Sequence, residues 1–313
     1  MSRNRIHFQK GMSLHEFQEQ YGTDERCREA LFRWRWPGGY VCPMCGYHKG
    51  CEIKSRKVYQ CHKCHYQTSL TAGTVFDSTR VPLTVWFLGM YILIQSKNGI
   101  STMEMMRQLG ISYNAAWRMR HKLMQVMYER DERRKLGGVV ELDDAYLGGE
   151  RSGEKRGRGT PGKIPFLAAV DKNEKGHPIS IKLTRVTGFR KEEIESWSIE
   201  NLLPGSTIVT DGLNCFSGVE AAGCKHIIKK VGSHKQAAME SAFKWVNTVL
   251  GNLKNAIKGT YHVIYSKYSH RYLAEFQYRV NRRFDLSSLV PRLACVAVRT
   301  QPRPEWLLKL AEI

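Results

Sequence analysis

Long apolar runs are absent from the sequence. The longest, VWFLGMYILI at residues 85–94, is far shorter than the ~20 apolar residues that a membrane-spanning helix needs, so we predict a buried helix there. The first residues, MSRNRIHFQKGMSLHEF, lack the apolar stretch of a secretion signal. We therefore expect a cytosolic protein with no membrane partner, whose cysteines serve a purpose other than disulfide formation.

Acidic residues are scarce. The 313 residues include 29 Asp and Glu but 49 Lys and Arg, which gives a formal net charge of +20. The basic residues are spread along the chain, so the charge does not belong to a single tail. A soluble protein of this charge usually binds a polyanion, and on this ground alone nucleic acid, ribosomes and anionic membrane surfaces all remain open.

A nucleotide-binding P-loop is also absent. The Gly-rich basic segment RSGEKRGRGTPGK at residues 151–163 contains no GxxxxGK[ST] motif after a strand. We interpret it as a loop that contacts DNA through Arg156 and Arg158, although a merely solvated loop would have the same composition. Arg282 and Arg283 follow a segment whose aromatic residues are more typical of core packing than of base stacking, and both are candidates for phosphate contacts.

Four of the nine cysteines form a metal-binding pattern. Cys42 and Cys45 lie in CPMCG, Cys61 and Cys64 lie in CHKC, and fifteen residues separate the two pairs. Two such knuckles can place four thiolates tetrahedrally around one Zn²⁺, and a closed site of this kind is structural. The segment is too short for its own core, so the metal would supply its folding energy. A nearby histidine could replace one thiolate, and the basic and aromatic surroundings favour a nucleic-acid contact.

A helix-turn-helix unit is predicted after the cysteine motifs. Ser101 can cap a helix that ends at Leu109, Gly110 makes the turn, and Ser112 opens a second helix. We assign three basic residues of the second helix to DNA binding, which are Arg118, Arg120 and Lys122. A plain helical hairpin would have the same pattern.

The second half of the chain alternates short apolar runs with helical segments. The runs predict strands at residues 139–148, 165–171, 178–186, 206–211 and 225–231, and helical spacing is present at 191–203 and 235–257. Three strands in a row, followed by strand–helix alternation, indicate an α/β sheet of the ribonuclease H-like, retroviral-integrase type.

Domain boundaries follow from these patterns. Helical spacing over residues 13–36, with Thr23 and Asp24 at a helix start, precedes the ribbon, and a further helix is predicted from Pro82 to Gly99. The charged segment at 129–138 is interpreted as a linker. The predicted domains are a helix plus zinc ribbon, a helix-turn-helix unit, a ribonuclease H-like catalytic domain and a tail, at residues 1–75, 76–135, 136–290 and 291–313.

Two carboxylates follow predicted strands. Asp143 ends the first strand in VVELDDAYLG, and Asp211 ends the fourth in TIVTDG. Strand ends at one edge of an open sheet gather ligand sites, and two carboxylates there can bind Mg²⁺. Neighbouring strand residues point to opposite faces, so Asp143 and Asp144 are not expected to be ligands together, and the pattern does not choose between them. Asp211 could instead be only a turn residue.

Several separate segments, in the right order, resemble one family. They are YGTDERCREALFRWRWPGGYVCPMCG, TSLTAGTVFDSTRVPLTVWF, IVTDGLNCF and GTYHVIYSKYSHRYLAEFQYRVNRR, together with residues 139–150. These segments and the cysteine spacing are similar to bacterial insertion-sequence transposases that join a four-cysteine zinc ribbon to an Asp-Asp-Glu or Asp-Asp-Asn catalytic core. This group is related to the Merlin transposons, and the similarity covers most of the chain.

The resemblance implies a set of catalytic residues. In the family an Asp, usually followed by Glu, ends the first strand, so Asp143 is the implied metal ligand and Asp144 stands where Glu is usual. Asp211 matches the second ligand, Asn247 the third position and Lys254 the lysine seven residues later, which we assign to a phosphate contact. Seven residues are nearly two helical turns, so Asn247 and Lys254 would face one side.

Asn247 is the unusual feature of this set, because an amide carries no charge and cannot act as a base. Glu240, two helical turns earlier, and the more distant Glu275 are rival third carboxylates. The position of Lys254 favours Asn247 over both.

The implied reaction is phosphoryl transfer by a DNA transposase that uses Mg²⁺ or Mn²⁺. Water cuts at the transposon end, and the freed 3′-hydroxyl then attacks target DNA. The ribbon and the helix-turn-helix unit would bind the terminal inverted repeats of double-stranded DNA, with a homodimer or larger multimer joining two ends at the bacterial nucleoid. A transposase-derived DNA-binding regulator without catalysis, and a structure-selective nuclease on the same fold, remain open.

Overall fold

The computed structural model describes residues 11–148, 163–229, 243–261 and 264–311. Within these ranges, no helix is both long and apolar enough to span a bilayer. The contacts divide the chain into two compact units. The first runs to residue 96 and also contains residues 100–126 and 284–311, while the second contains residues 97–99 and 127–283.

The first unit begins with two capped helices, α1 (Leu14–Tyr21) and α2 (Asp24–Arg35). The Ser13 hydroxyl accepts a hydrogen bond from the Glu16 N–H, and the Glu16 carboxylate accepts one from the Ser13 N–H, which is a capping box. Thr23 is the N-cap of α2, at the helix start that the sequence predicts.

A three-stranded antiparallel sheet follows, with the order β1 (Gly50–Ile53), β2 (Val58–Cys61) and β3 (Gln67–Ser69). It packs against the end of α2 through an aromatic cluster with ring centroids 5.1–5.9 Å apart, formed by Phe32, Trp36, Tyr40 and Tyr59. The small sheet therefore takes its apolar packing from α2.

The predicted helical unit is present as α3 (Leu83–Gln95), α4 (Thr102–Leu109) and α5 (Tyr113–Glu132). Ser101 caps α4, and Gly110 ends it with a φ of +63°, a left-handed conformation that glycine adopts without strain. Because α5 continues to Glu132, the first residues of the predicted linker at 129–138 are helical instead.

The second unit contains a five-stranded sheet. Its strands are β4 (Val139–Leu147), β5 (Ile164–Lys172), β6 (Pro178–Arg185), β7 (Thr207–Thr210) and β8 (Lys225–Ile228). Their order is β6-β5-β4-β7-β8; β4, β5 and β6 pair antiparallel, whereas β4, β7 and β8 pair parallel. All five apolar runs of the sequence are therefore strands.

Helices cover both faces of this sheet, which explains why its strands are apolar on both sides. One face packs on α6 (Lys191–Asn201) through side chains such as Leu142 and Ile208. The opposite face packs on α7 (Lys244–Thr260) and α8 (Ser269–Asn281) through side chains such as Ala145 and Val209. Odd-numbered residues of β4 consequently face α7 and α8.

The chain ends with two helices, α9 (Leu289–Ala297) and α10 (Glu305–Leu310). Helix α9 packs against α2 and α3, so these residues belong to the first unit. The segment predicted as a tail at 291–313 thus contains helical structure up to Leu310.

Candidate functional site

The four cysteines of the ribbon converge on one point. The Sγ atoms of Cys42 and Cys64 are 3.6 Å apart, and those of Cys45 and Cys61 are 3.7 Å apart. A tetrahedral Zn²⁺ with Zn–S bonds of about 2.3 Å requires Sγ–Sγ separations of about 3.8 Å. The thiols therefore stand at the separations that zinc needs, and the site fits structural Zn²⁺.

The surroundings of Cys42 favour a thiolate, whereas at Cys64 a backbone hydrogen bond from Tyr66 is outweighed by burial and the neighbouring thiols, which raise its pKa to about 12. Burial opposes ionisation of Cys42, but the backbone N–H groups of Cys45 and Met44 donate to its sulfur and lower its pKa to about 6. Zinc binds the thiolate form, so the lowered pKa leaves Cys42 largely ionised and able to bind zinc at neutral pH.

A second cluster, of carboxylates, lies where β4 continues beyond the end of its pairing with β7. The prediction that Asp143 ends the first strand is wrong, because β4 stays paired with β5 up to Leu147 and Asp143 lies in its middle. The last parallel pair joins Glu141 to Val209. Asp143 and Asp211 each lie two residues beyond that pair, so they extend the register and point to the same face of the sheet. Their carboxylate oxygens, together with one from Asp144, lie within 4.8 Å of one another. Oxygen donors so close repel one another and suit a hard divalent cation.

Asp144 does not follow the expectation from strand alternation. Its carboxylate joins the cluster, although its Cβ points away from the face that bears Asp143. Among the residues that the structure describes, the pairing of β4 with β7 ends at Glu141 and Val209, so no paired β7 residue lies beside Asp144. The Asp144 N–H also donates to Asp143 Oδ1 at 2.9 Å. Strand alternation sets the direction of the Cα–Cβ bond, but the carboxylate oxygens of an aspartate can still turn toward the edge of the strand.

Asp211 is fixed by the turn that follows β7. Its Oδ1 accepts the Leu213 N–H at 3.1 Å, and Gly212 has a φ of +90°. Thr210 Oγ1 bonds His226 Nε2 at 2.8 Å and accepts the Gly212 N–H at 3.3 Å. Asp211 therefore lies in a turn, and its exposed carboxylate also belongs to the cluster.

Asn247 and Lys254 lie on α7, and both are exposed. The buried side chains of α7 are Val246, Val249, Leu250, Leu253 and Ala256. Asn247 and Lys254 project from one flank of the helix, about 100° from the centre of that buried stripe. The start of α7 is held beside the acidic cluster, because Glu141 Oε2 accepts the Trp245 and Val246 N–H groups at 2.9 and 2.8 Å.

Neither rival for the third catalytic position, Glu240 or Glu275, is found in the acidic cluster among the residues that the structure describes. Glu240 lies outside the described residues. Glu275 is buried in α8, where it accepts the Tyr261 hydroxyl at 2.9 Å and pairs with Arg279 at 3.6 Å. Among the residues that the structure describes, Glu275 is not one of the carboxylates that gather with Asp143.

The residues of α5 predicted to bind DNA divide into one exposed and two inward side chains. Arg118 is exposed and pairs with Glu305 at 2.9 Å. Arg120 is 1% exposed, which does not fit a DNA contact. Lys122 donates to the Val75 carbonyl at 2.7 Å, and burial lowers its pKa. Arg120 and Lys122, near the middle of α5, thus face the protein interior rather than a DNA groove.

The guanidinium groups of Arg282 and Arg283 also donate hydrogen bonds within the protein, rather than pointing to a surface where DNA phosphate would bind. Arg282 donates to both carboxylate oxygens of Asp131, at 2.6 and 3.2 Å, and lies over the Tyr278 ring. Arg283 donates to the carbonyls of Pro178 and Ile179. The prediction of phosphate contacts therefore does not fit either side chain. Arg156 and Arg158 lie outside the described part of the chain.

Glu141 is the functional candidate that the sequence analysis missed. It is fully buried, and Lys172 Nζ lies 3.1 Å from its Oε1. The available signal was an acidic residue between the apolar residues Val140 and Leu142, before the two aspartates of VVELDDAYLG, because a buried carboxylate almost always has a specific partner.

Comparison with known proteins identifies the family. Residues 135–281 match the model of the ISXO2-like transposase domain, and residues 22–67 match the transposase zinc-ribbon domain. The two matches together cover more than half of the chain, which belongs to the insertion-sequence transposases that carry both domains. The resemblance that the sequence motifs indicate is thereby confirmed.

A relative of this chain is an uncharacterised protein in transposable element ISH50 of Halobacterium salinarum (strain ATCC 700922 / JCM 11081 / NRC-1). The two are 25% identical over 215 residues, which are 63% of this chain and 70% of that protein.

Proposed function

We propose that this protein is a DNA transposase that binds terminal inverted repeats, cleaves DNA at the transposon ends and joins the 3′ ends to target DNA. The observation that carries the proposal is the meeting of Asp143 and Asp211 within 4.8 Å, inside an ISXO2-like transposase domain. The strand order β6-β5-β4-β7-β8, with three antiparallel strands followed by two parallel ones, supports a ribonuclease H-like fold for this domain.

Asp143 and Asp211 would hold Mg²⁺ or Mn²⁺, with Asp144 within reach of the same ions. When bound, such ions would supply stabilisation of the attacking and leaving oxygens of a phosphoryl transfer. Asn247 can orient a water molecule through its amide but cannot accept the proton. Lys254 would neutralise a phosphate beside the scissile bond.

The two reactions balance without a protein-bound intermediate. In the first, the oxygen of water bonds to phosphorus and the bond to the 3′ oxygen breaks, which leaves a 3′-hydroxyl. In the second, that 3′ oxygen bonds to a phosphorus of target DNA and one target strand is released. Each step forms one P–O bond and breaks another at the same phosphorus, so the same carboxylates can serve both.

The zinc ribbon and the start of α5 are the proposed surfaces for the inverted repeats. Arg118 is the exposed basic side chain of α5 that fits this role, beside exposed Tyr113 and Asn114 in the first turn. The net charge of +20 supports binding to a polyanion. A synaptic multimer, a homodimer or larger, would join two ends at the nucleoid.

The test is a strand-transfer assay on DNA that carries the element's own ends, with Mg²⁺, Mn²⁺ or EDTA. A transposase cuts and joins, and does so only with metal. Cutting without joining would identify a structure-selective nuclease. End binding with no cutting would identify a regulator, for which the neutral Asn247 is the supporting feature.

Gly251 provides a prediction for the proposed DNA-contacting flank of α7. It lies one turn after Asn247 and three residues before Lys254, and a Cβ built on it meets no atom of the described residues within 4 Å. Glycine inside a helix costs about 0.5–1 kcal/mol relative to alanine. We therefore expect Gly251→Ala to raise the melting temperature, but to lower strand transfer about tenfold, because its methyl group obstructs the DNA strand.

Gly259 is the matched control for this prediction. It lies on the same helix about 12 Å further along, and a Cβ there likewise meets no atom within 4 Å in the part of the chain that the structure describes. Gly259→Ala should keep full strand transfer without loss of thermal stability. Equal activity in both variants, measured by the initial rate per folded protein, would mean that DNA does not contact this flank.

A further inference from the structure

Glu141 is a charged side chain enclosed entirely by the protein. It is 0% exposed, and a carboxylate is retained in such a place only when specific partners offset its desolvation. Its Oε1 faces Lys172 Nζ at 3.1 Å, and its Oε2 accepts the N–H groups of Trp245 and Val246 at 2.9 and 2.8 Å. The carboxylate therefore joins β4, β5 and the first turn of α7.

These contacts tie two parts of the proposed catalytic site together. Glu141 lies two residues before Asp143, on the face of β4 that packs on α7. Trp245 and Val246 immediately precede Asn247 in the first turn of α7. One side chain thus connects the strand that carries the metal ligand with the helix that carries the third catalytic candidate.

A local cap would not provide this connection. Helix α7 begins after Phe243, whose side chain cannot accept a hydrogen bond. Serine or aspartate at that position would satisfy the first N–H groups within the helix itself. Here the acceptor comes from a strand more than a hundred residues earlier. Two adjacent N–H donors on one oxygen fix the rotation of the helix as well as its distance from the sheet.

We propose that Glu141 is a positioning residue, which sets the rotation of α7 so that Asn247 and Lys254 face the carboxylates of Asp143 and Asp211. The proposal rests on the catalytic function proposed above. Glu141 does not contact DNA in this arrangement, because it is enclosed by protein. It acts through the first turn of the helix.

A direct physical test uses amide hydrogen exchange on the full-length protein. Glu141→Ala removes the acceptor, while the Trp245 indole still donates to the Gly176 carbonyl at 2.7 Å and keeps the helix near the sheet. We expect amide protection at Trp245, Val246 and Asn247 to fall at least about tenfold, with the core of β5 unchanged. In Glu141→Gln, which keeps one oxygen acceptor, amide protection at these residues should be intermediate between that of Glu141→Ala and that of wild type.

The functional test is a double-mutant cycle. Glu141→Ala is expected to lower strand transfer per folded protein about a hundredfold, since small displacements of catalytic groups have effects of this size. In a protein that already carries Asn247→Ala and Lys254→Ala, the same substitution should cost less than about twofold, because the groups that it positions are gone. Folded protein is quantified by circular dichroism and zinc content.

Asp171 supplies the matched control. It is also a buried carboxylate, whose Oδ1 accepts the Ser180 N–H at 2.6 Å and the Ser180 hydroxyl at 2.7 Å. It joins β5 to β6, and it pairs with Val140, whose side chain lies on the sheet face opposite α7. Asp171→Asn should lower thermal stability, yet leave strand transfer per folded protein within about twofold of wild type.

Three outcomes would overturn the positioning role. One is unchanged protection in the first turn of α7 in Glu141→Ala. Another is an equal loss of activity with and without Asn247 and Lys254, which is what a general loss of stability produces. The third is an equal loss in Asp171→Asn. Wild-type protein that neither cuts nor joins DNA would instead refute the proposed function, and the exchange experiment would still decide whether Glu141 holds the helix.

Discussion

Asp143→Asn and Asp211→Asn are each expected to abolish DNA cutting and joining while end binding stays within about twofold of wild type. Each substitution keeps the side-chain shape but replaces an anionic side chain, the proposed metal ligand, with a neutral one. Stabilisation by a catalytic metal amounts to several kcal/mol, which corresponds to at least about a thousandfold in rate. The measurements are strand transfer on end-containing DNA and a mobility-shift assay with the same DNA.

The same variants have a second expected signature that needs no activity. Three carboxylate oxygens within 4.8 Å of one another suit a divalent cation, and each substitution removes one of the charges that attract it. Adding Mg²⁺ should then stabilise wild type more than either variant, because a cation that binds the native state raises its stability.

Glu220→Gln is the charge control for these variants. Glu220 is exposed in the segment that follows Asp211, and it is not part of the acidic cluster. It should leave cutting, joining and the response to Mg²⁺ unchanged. If Asp143→Asn and Asp211→Asn lost end binding together with activity, the two carboxylates would be structural rather than catalytic.

The sequence predicted the part of the site that depends on strand pattern. Apolar runs located β4 and β7, and the parallel pairing of two strands brings together residues at equal offsets. Asp143 and Asp211 therefore meet for a reason that is already present in the order of the strands. The zinc cluster was predictable for a similar reason, because each pair of cysteines lies in a turn of fixed geometry.

What the sequence did not predict depends on packing between distant segments. Arg120 and Lys122 look like groove-facing residues until Val75 and the buried core of the helical unit are placed against α5. Arg282 looks like a phosphate ligand until Asp131, about 150 residues earlier, is placed beside it. Long basic side chains can bury their stems and reach internal acceptors, so charge on a helix does not identify its exposed face.

Cys42→Ser is expected to unfold the zinc ribbon while the second unit stays folded. Between residues 41 and 69, all of which the structure describes, the buried side chains are Cys42, Cys61 and Thr68. Two of these three are zinc ligands, so the metal site serves as the core of the ribbon. Zinc binding contributes about 10–16 kcal/mol to the folding of comparable small domains, and loss of one ligand removes most of it.

The sheet of the second unit should not respond, because its core is formed by β4–β8 with the helices that cover them. We therefore expect Cys42→Ser to lose its zinc, to become sensitive to protease within residues 41–69 and to lose end binding at least about tenfold, with amide protection in β4 and β5 retained. Cys51→Ser is the matched control, since Cys51 is an exposed cysteine of the same ribbon outside the cluster. A Cys42→Ser protein that still binds one zinc in a folded ribbon would show that a neighbouring histidine can complete the site, and the variant His62→Ala would then identify or exclude the nearest candidate in the second knuckle.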